Sequence, residues 1–209
     1  MSVLAVIAKA PIAGQSKTRL SPPLTLEQAA VLAEASLVDT LEAVLATRAK
    51  RRVLVLEGSP GPWLPRGLEL VSQRGIGLDE RLACAFVDLG EPALIVGMDT
   101  PQVTPDLLGR ALSLLESTPA VLGPATDGGY WAIGLQTPEP RALLGVPMSS
   151  QHTLAAQRHR LDELGLPRLD LPELRDVDTY YDALHVARQA PSSGFAEALE
   201  SLMKRREAA

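Results

Sequence analysis

One cysteine, three histidines and 3% aromatic residues are the scarcest chemistry in this 209-residue sequence. With Cys84 alone, an intramolecular disulfide and a cysteine-rich zinc centre are both excluded. Cys84 stands between Ala83 and Ala85 in a helical pattern with no histidine near it, and it reads as a small core residue. His152, His159 and His185 form no metal-like grouping, and all three read as surface residues. No Gly-x-Ser-x-Gly elbow or Cys–His arrangement supports an acyl-transfer hydrolase. Long hydrophobic runs are missing as well. The opening MSVLAVIAKAPIAG carries six apolar residues before Lys9 and no basic leader region, so it reads as a first strand and not as a signal peptide. No run reaches the roughly 18 apolar residues that a membrane span needs. The cytoplasm is therefore the expected compartment, and no membrane partner is expected.

Positive charge is also in short supply. Twenty basic residues stand against twenty-five acidic ones, a formal charge of -5. That argues against nucleic acid as a partner on a broad basic surface, while leaving room for a small nucleotide in a local basic pocket. With so few aromatics, the core must be built from Ala, Leu and Val. A chain of this length buries about 70% of the surface that its unfolded form exposes. One domain over residues 1–209, with a frayed end at 205–209, needs no staple.

Short apolar runs at Val3–Ala8, Val53–Leu56, Leu68–Val71, Ala93–Gly97, Ala120–Leu122, Tyr130–Gly134 and Leu169–Leu171 read as strands. Between them lie helical patterns with recognisable starts. Thr25 with Gln28 forms a capping-box pair, Thr104 precedes Pro105, and Thr179 and Ser193 head the last two helices. Further helices are expected at Leu78–Leu89 and His152–Leu164. The basic cluster Arg48, Lys50, Arg51 and Arg52 reads as a solvated turn after the first helix. Strands alternating with helices imply an α/β fold, a Rossmann-like, mainly parallel sheet with helices on both faces. Ligands of such sheets bind beyond the carboxyl ends of the strands.

Four segments carry chemistry, and three of them follow strand ends. KAPIAGQSKTRL places Lys9, Lys17 and Arg19 in one loop around Gly14, without Walker A spacing; it suits phosphate, or it is a solvated basic loop. GMDTP puts Asp99 just after a buried strand, as a hard oxygen ligand for Mg2+ or Mn2+ or as a cap of the next turn. GPATDGGYW sets Asp127 beside Gly128 and Gly129, for close approach to a ligand or a simple turn. In RDVDTYYD, Asp176 and Asp178 share one side of an extended segment, where they can complete a metal site, or Asp178 can cap the helix that starts near Thr179. Asp79 and Glu80 are ordinary helix-start acids by position.

Taken in order, KAPIAGQSKTRL, GLDERLACAF, GMDTP, GPATDGGYWAIGL and DVDT resemble the bacterial radical-SAM/selenodomain-associated transferase 1 proteins, a domain of unknown function related to the GT-A superfamily of nucleotide-diphospho-sugar transferases. The resemblance runs from Lys9 to about Asp182. It implies a GT-A-like fold, with Lys17 and Arg19 facing a donor diphosphate and Asp99 as metal ligand with Asp178 as the second. Gln73, Gly75, Gly77 and Glu80 would line the base or sugar pocket. Asp127, Gly128 and Gly129 would lie near the sugar or acceptor, with Asp127 as general base and Lys17 also acting in catalysis. This chain reads Gly75-Ile76-Gly77-Leu78-Asp79-Glu80 where the family more often has an Asp-Leu-Gly-Glu order. The implied activity is glycosyl transfer from a metal-bound nucleotide sugar to a small-molecule acceptor. Nucleotidyl transfer from a nucleoside triphosphate and nucleotide binding without catalysis are the alternatives. Whether the chain acts alone or as a homo-oligomer is left open by the sequence.

Overall fold

The computed structural model describes residues 1–207, with side chains through Arg205. Its centre is a seven-stranded sheet of strands β1 (Val3–Lys9), β2 (Arg51–Glu57), β3 (Glu69–Ser72), β4 (Ala93–Gly97), β5 (Ala120–Pro124), β6 (Tyr130–Leu135) and β7 (Arg168–Asp170), in the order β3-β2-β1-β4-β6-β5-β7. All neighbours run parallel except β6, which is antiparallel to both β4 and β5. The described residues also form six α-helices, α1 (Leu26–Ala46), α2 (Leu78–Leu89), α3 (Pro105–Leu115), α4 (Thr153–Glu163), α5 (Tyr180–Gln189) and α6 (Gly194–Glu207), and two short 3-10 helices at Thr18–Leu20 and Pro140–Ala142. None is long and apolar enough to cross a membrane.

The continuous apolar runs become strands because both of their faces are covered. Along β1, Leu4, Val6 and Ala8 turn to one core with Leu37, Leu41 and Val44 of α1 and Leu108 and Ala111 of α3. Val3 and Ala5 turn to the opposite core with Leu82, Phe86 and Leu89 of α2 and Leu161 of α4. A third cluster joins Leu20, Leu24 and Leu32 to Ala183 and Val186 of α5 and Phe195 and Leu199 of α6.

Helix starts follow the expected caps. Thr25 and Gln28 form the capping box, Thr104 accepts from Leu107 N–H, and Thr179 pairs reciprocally with Asp182. Two expectations need correction. Arg51 and Arg52 belong to β2 and not to a solvated turn. Arg51 is held by Glu69 and Glu91, while Arg52 reaches back to the Val44 and Thr47 carbonyls at the end of α1. Cys84 is half-buried and not a core residue, because the buried face of α2 falls on Leu82, Ala83, Ala85 and Phe86. Helix α6 runs through Glu207, and Ala208 and Ala209, the last residues of the end expected to fray, lie outside the described residues.

Helix α6 is tied to α1 by one side chain. Asp39 accepts from Gly194 N–H at 2.9 Å and from Phe195 N–H at 2.8 Å, so it satisfies two otherwise orphaned donors at the α6 start. Replacing Asp39 by Ala is expected to cost about 1–2 kcal/mol of stability in urea denaturation. Asp39→Asn, which keeps one carbonyl acceptor, is expected to fall between Ala and wild type.

Candidate functional site

Three strand ends and one late segment meet at a single cleft. It has a volume of about 400 Å³ and opens at the carboxyl ends of β1 and β4. The β1 end contributes Lys9 and the loop Gln15–Arg19; β4 contributes Gly97–Thr100; β6 contributes Tyr130–Ile133; and the segment before α5 contributes Asp176 and Asp178. Ile7, Leu78, Leu82, Ile95 and Ile133 form its apolar wall.

Within the cleft, Lys17 is the pivot. Its Nζ lies 2.9 Å from Asp99 Oδ1 and 3.3 Å from Asp178 Oδ1, with the side chain only 9% exposed. Burial opposes its charge, yet Asp99, Asp178 and Asp176 outweigh burial and raise its pKa above the ordinary lysine value. Arg19, 75% exposed, approaches Asp178 Oδ2 at 3.4 Å. The pKa of Asp176 is raised as well, but here the shift disfavours the charged form. Burial first, then the charges of Asp99 and Asp127, push its carboxyl up to about 7.

Backbone bonds fix the two acidic segments to each other. Val177 N–H donates to the Asp99 carbonyl at 2.9 Å, and the Gln102 amide donates to the Arg175 carbonyl at 2.8 Å. Neither aspartate serves as the cap that the sequence also allowed. The turn before α3 is closed by Val103 N–H to the Thr100 carbonyl, and Thr179 with Asp182 caps α5.

The donor set suits a hard divalent ion. Asp99 and Asp178 converge on one point, and the buried oxygens Asp176 Oδ1 and Thr100 Oγ1 have no hydrogen-bond partner among the described residues. Carboxylate and hydroxyl oxygens are the ligands that Mg2+ and Mn2+ favour. No ready-made group of three His, Cys, Asp or Glu side chains that could hold a metal ion exists among the described residues.

The other expected site residues are placed as follows. Lys9 lines the cleft and pairs with Glu57 at 3.2 Å. Gln73 also lines it, but its amide donates to the Ala8 and Val55 carbonyls and so ties strand ends together. Gly14, Gly75, Glu80, Asp127, Gly128 and Gly129 fall outside the lining residues. Glu80 accepts from Ile76 N–H, and Gly75 packs against the first turn of α2, where a Cβ would meet Glu80 Cβ at 2.8 Å. Asp127 is exposed and accepts from Gly129 N–H at 2.8 Å, yet it is close enough for its charge to act on Asp176. Gly128, at φ 87°, makes its close approach to the chain's own Gln151: a Cβ there would meet the Gln151 carbonyl oxygen at 2.2 Å.

Sequence reasoning missed Arg81, Gln15, Ser16, Thr100 and Tyr130 as lining residues. Gln15 and Ser16 lay inside the KAPIAGQSKTRL segment and could have been found there. Arg81 lay inside GLDERLACAF, but nothing in that segment marked its side chain as a cleft residue. It enters because the first turn of α2 brings its guanidinium to Glu57 and to the Gly75 carbonyl.

Comparison with known proteins agrees with this architecture. Residues 31–150 match the family described as "Uncharacterized protein conserved in bacteria (DUF2064)". The crystal structure of a "putative nucleotide-diphospho-sugar transferase" from Desulfovibrio desulfuricans G20 superposes with a TM-score of 0.86 at 25% identity, over 98% of each chain. Rv0371c from Mycobacterium tuberculosis H37Rv, in complex with manganese, gives 0.55 at 19% identity over 89% of this chain and 97% of its own. A 2-C-methyl-D-erythritol 4-phosphate cytidylyltransferase from Thermus thermophilus gives 0.55 at 18% over 91% and 100%. The last two likenesses speak to fold alone. No curated protein matches the chain in sequence. The fold is the mixed α/β, mostly parallel arrangement shared by nucleotide-diphospho-sugar transferases and nucleotidyltransferases.

The Gly128 contact yields a test of the loop. Gly128→Ala must displace the Gln151 backbone and also adopt an unfavourable φ, so a loss of at least about 2 kcal/mol is expected in thermal or urea unfolding. Gly129→Ala meets only the Asp127 carboxylate, at 3.1 Å and without positive φ, and is expected to cost less.

Proposed function

The chain belongs to the DUF2064 family, and we propose that it is a metal-assisted transferase whose donor is a nucleotide-diphospho-sugar and whose acceptor is a small hydroxyl compound. The observation that carries this reading is the convergence of Asp99 and Asp178 with Lys9, Lys17 and Arg19 at one strand-end cleft. The likeness to the Desulfovibrio protein supports it, and the narrower resemblance to the radical-SAM/selenodomain-associated transferases belongs to the same proposal.

Charge favours a diphosphate donor over a triphosphate. Lys9 and Arg81 share Glu57, and Lys17 is engaged by Asp99 and Asp178, so most cleft cations already have carboxylate partners. Arg19 is the most exposed of them and offers a two-pronged donor to phosphate oxygens. A divalent ion held by Asp99 and Asp178 would neutralise a diphosphate leaving group. A triphosphate would bring further negative charge for which the cleft holds few open cations.

In this reading Arg19 and Lys17 hold the phosphates and stabilise the charge that develops on them. The aliphatic wall of Ile7, Leu78, Leu82, Ile95 and Ile133 keeps water from the reacting end. An acceptor hydroxyl oxygen attacks the anomeric carbon, the bond from that carbon to the diphosphate oxygen breaks, and nucleoside diphosphate departs with the electron pair. Asp127 stands outside the cleft lining but near enough for its charge to reach Asp176, and in this reading it takes the proton of an acceptor hydroxyl that approaches from its loop.

Incubation with Mg2+ or Mn2+ and a panel of nucleotide sugars and triphosphates tests the assignment. Free nucleoside diphosphate is the expected product. Pyrophosphate release would instead establish nucleotidyl transfer, the chemistry of structurally similar cytidylyltransferases, and saturable binding with neither product would establish a non-catalytic nucleotide-binding protein. Asp99→Asn is expected to lower metal-dependent turnover by about 100-fold or more while cooperative unfolding persists; a variant with unchanged rate and metal response overturns the assignment of Asp99. Arg19→Ala is expected to weaken donor binding by about 1.5–3 kcal/mol in calorimetry, the scale of a hydrogen bond to a charged group. A wild-type dissociation constant removes Arg19 from the site.

A further inference from the structure

Lys17 occupies the position that the reading above gives to a metal ion. Its ammonium sits between Asp99 Oδ1 and Asp178 Oδ1, at 2.9 and 3.3 Å, and the side chain is nine-tenths buried. Carboxylates held this close repel one another and need a counter-charge. The Lys17 ammonium is the counter-charge that both oxygens share. Asp176 stands beside the pair with one buried oxygen lacking a partner among the described residues.

The acidic partners cannot move apart easily. The Val177 N–H bond to the Asp99 carbonyl and the Gln102 bond to the Arg175 carbonyl lock the two segments together. Lys17 is the adjustable member. Its charge rides on a flexible four-carbon stem. Its backbone sits at φ 51° and ψ 37°, a left-handed conformation that non-glycine residues adopt only when surrounding contacts hold them there. Ahead of it the chain runs through the exposed residues Ile12–Gln15, and behind it lies the exposed pair Thr18 and Arg19.

We propose that Lys17 is a tethered counter-cation that competes with a divalent ion for Asp99 and Asp178, so that tight metal binding is conditional on a diphosphate able to take up the released ammonium. The inference rests on Asp99 and Asp178 being the metal ligands. A dication brought to the same oxygens meets the Lys17 charge at contact distance, and the two repel. Phosphate oxygens entering the cleft give Lys17 an alternative anionic partner and free both carboxylates. Lys17 thereby couples metal and donor, and by linkage each strengthens the binding of the other. Arg19 cannot do this from its exposed position, 3.4 Å from the outer oxygen of Asp178.

The test is Mn2+ binding without any nucleotide, read by calorimetry and by the electron paramagnetic resonance of free Mn2+. Wild type, Lys17→Met and Asp99→Asn are compared, with Lys17→Gln as a second neutral variant of similar length. Both neutral variants are expected to bind Mn2+ alone at least about ten-fold more tightly than wild type, the scale of a typical coupling between sites, and Asp99→Asn to lose the site. In a parallel titration with inorganic pyrophosphate and no metal, the neutral variants are expected to bind it more weakly. If wild type binds Mn2+ through Asp99 and the neutral variants bind it no more tightly, the competition is overturned while the metal assignment stands. If no protein binds Mn2+ even with pyrophosphate present, the metal assignment fails and this inference fails with it. Should neither neutral variant fold, the wild-type chain with 15N-labelled lysine decides. Mg2+ with pyrophosphate is expected to shift the buried Lys17 Nζ resonance, whereas an unmoved resonance under saturating binding overturns the proposal.

Discussion

A buried ammonium between two carboxylates joins three parts of this chain that are far apart in sequence. Lys17 follows β1, Asp99 follows β4 and Asp178 precedes α5. Each arrives by a different structural route. Parallel pairing places the ends of β1 and β4 side by side, with Ile7 opposite Gly97, so the loops after them must share one edge of the sheet. The late segment is drawn in by backbone bonds to the Asp99 region and by the isolated pairing of Ala125 with Leu174. The cleft is thus a product of sheet topology first and of charge second. Charge concentrates there because strand ends are where polar groups can sit beside a core without being enclosed by it.

Much of the scaffold could be read from local signals. Helices α3 and α5 begin where Thr104 and Thr179 imply, because caps act within a few residues, and α2 has the expected bounds Leu78–Leu89. Strand β4 has the expected bounds, since its apolar run has a glycine at its end. The direction of β6 is not readable in this way. Its continuous apolar run would suit either orientation, and only the short connection from β5, closed by Ala125 N–H to the Gly129 carbonyl, makes it turn back. The start of β2 is equally hidden. Arg51 and Arg52 look like surface charges, but their guanidinium groups reach Glu69, Glu91 and the end of α1, all distant in sequence or determined by packing.

The same contrast separates what was legible in the site. Lys17, Arg19, Asp99 and Asp178 stand out because charged residues next to apolar strands or in polar motifs are conspicuous, and the structure gathers all four into one cleft. Their partners are not legible. Nothing in KAPIAGQSKTRL indicates that Lys17 turns inward to carboxylates while Arg19 stays largely in solvent. Glycines mislead for a related reason. Adjacent glycines signal close approach, but not what approaches, and at Gly128 it is the Gln151 backbone of the same chain. Sequence identifies groups with chemical potential more readily than it identifies which group faces which.

The bond from Asp39 to the start of α6 also has a consequence for the order in which the protein assembles at the ribosome. Gly194 lies 155 residues after Asp39, so at typical synthesis rates of about 5–20 residues per second, α1 exists for on the order of ten seconds before that partner is made. During that interval Leu20, Leu24 and Leu32 lack the covering residues Ala183, Val186, Phe195 and Leu199. The sheet and its two flanking helical layers can form earlier, since they draw mainly on residues that precede α5. The third cluster must close last, which makes the interval before α6 emerges the time when a nascent chain offers apolar surface to a chaperone or to its neighbours on a polysome.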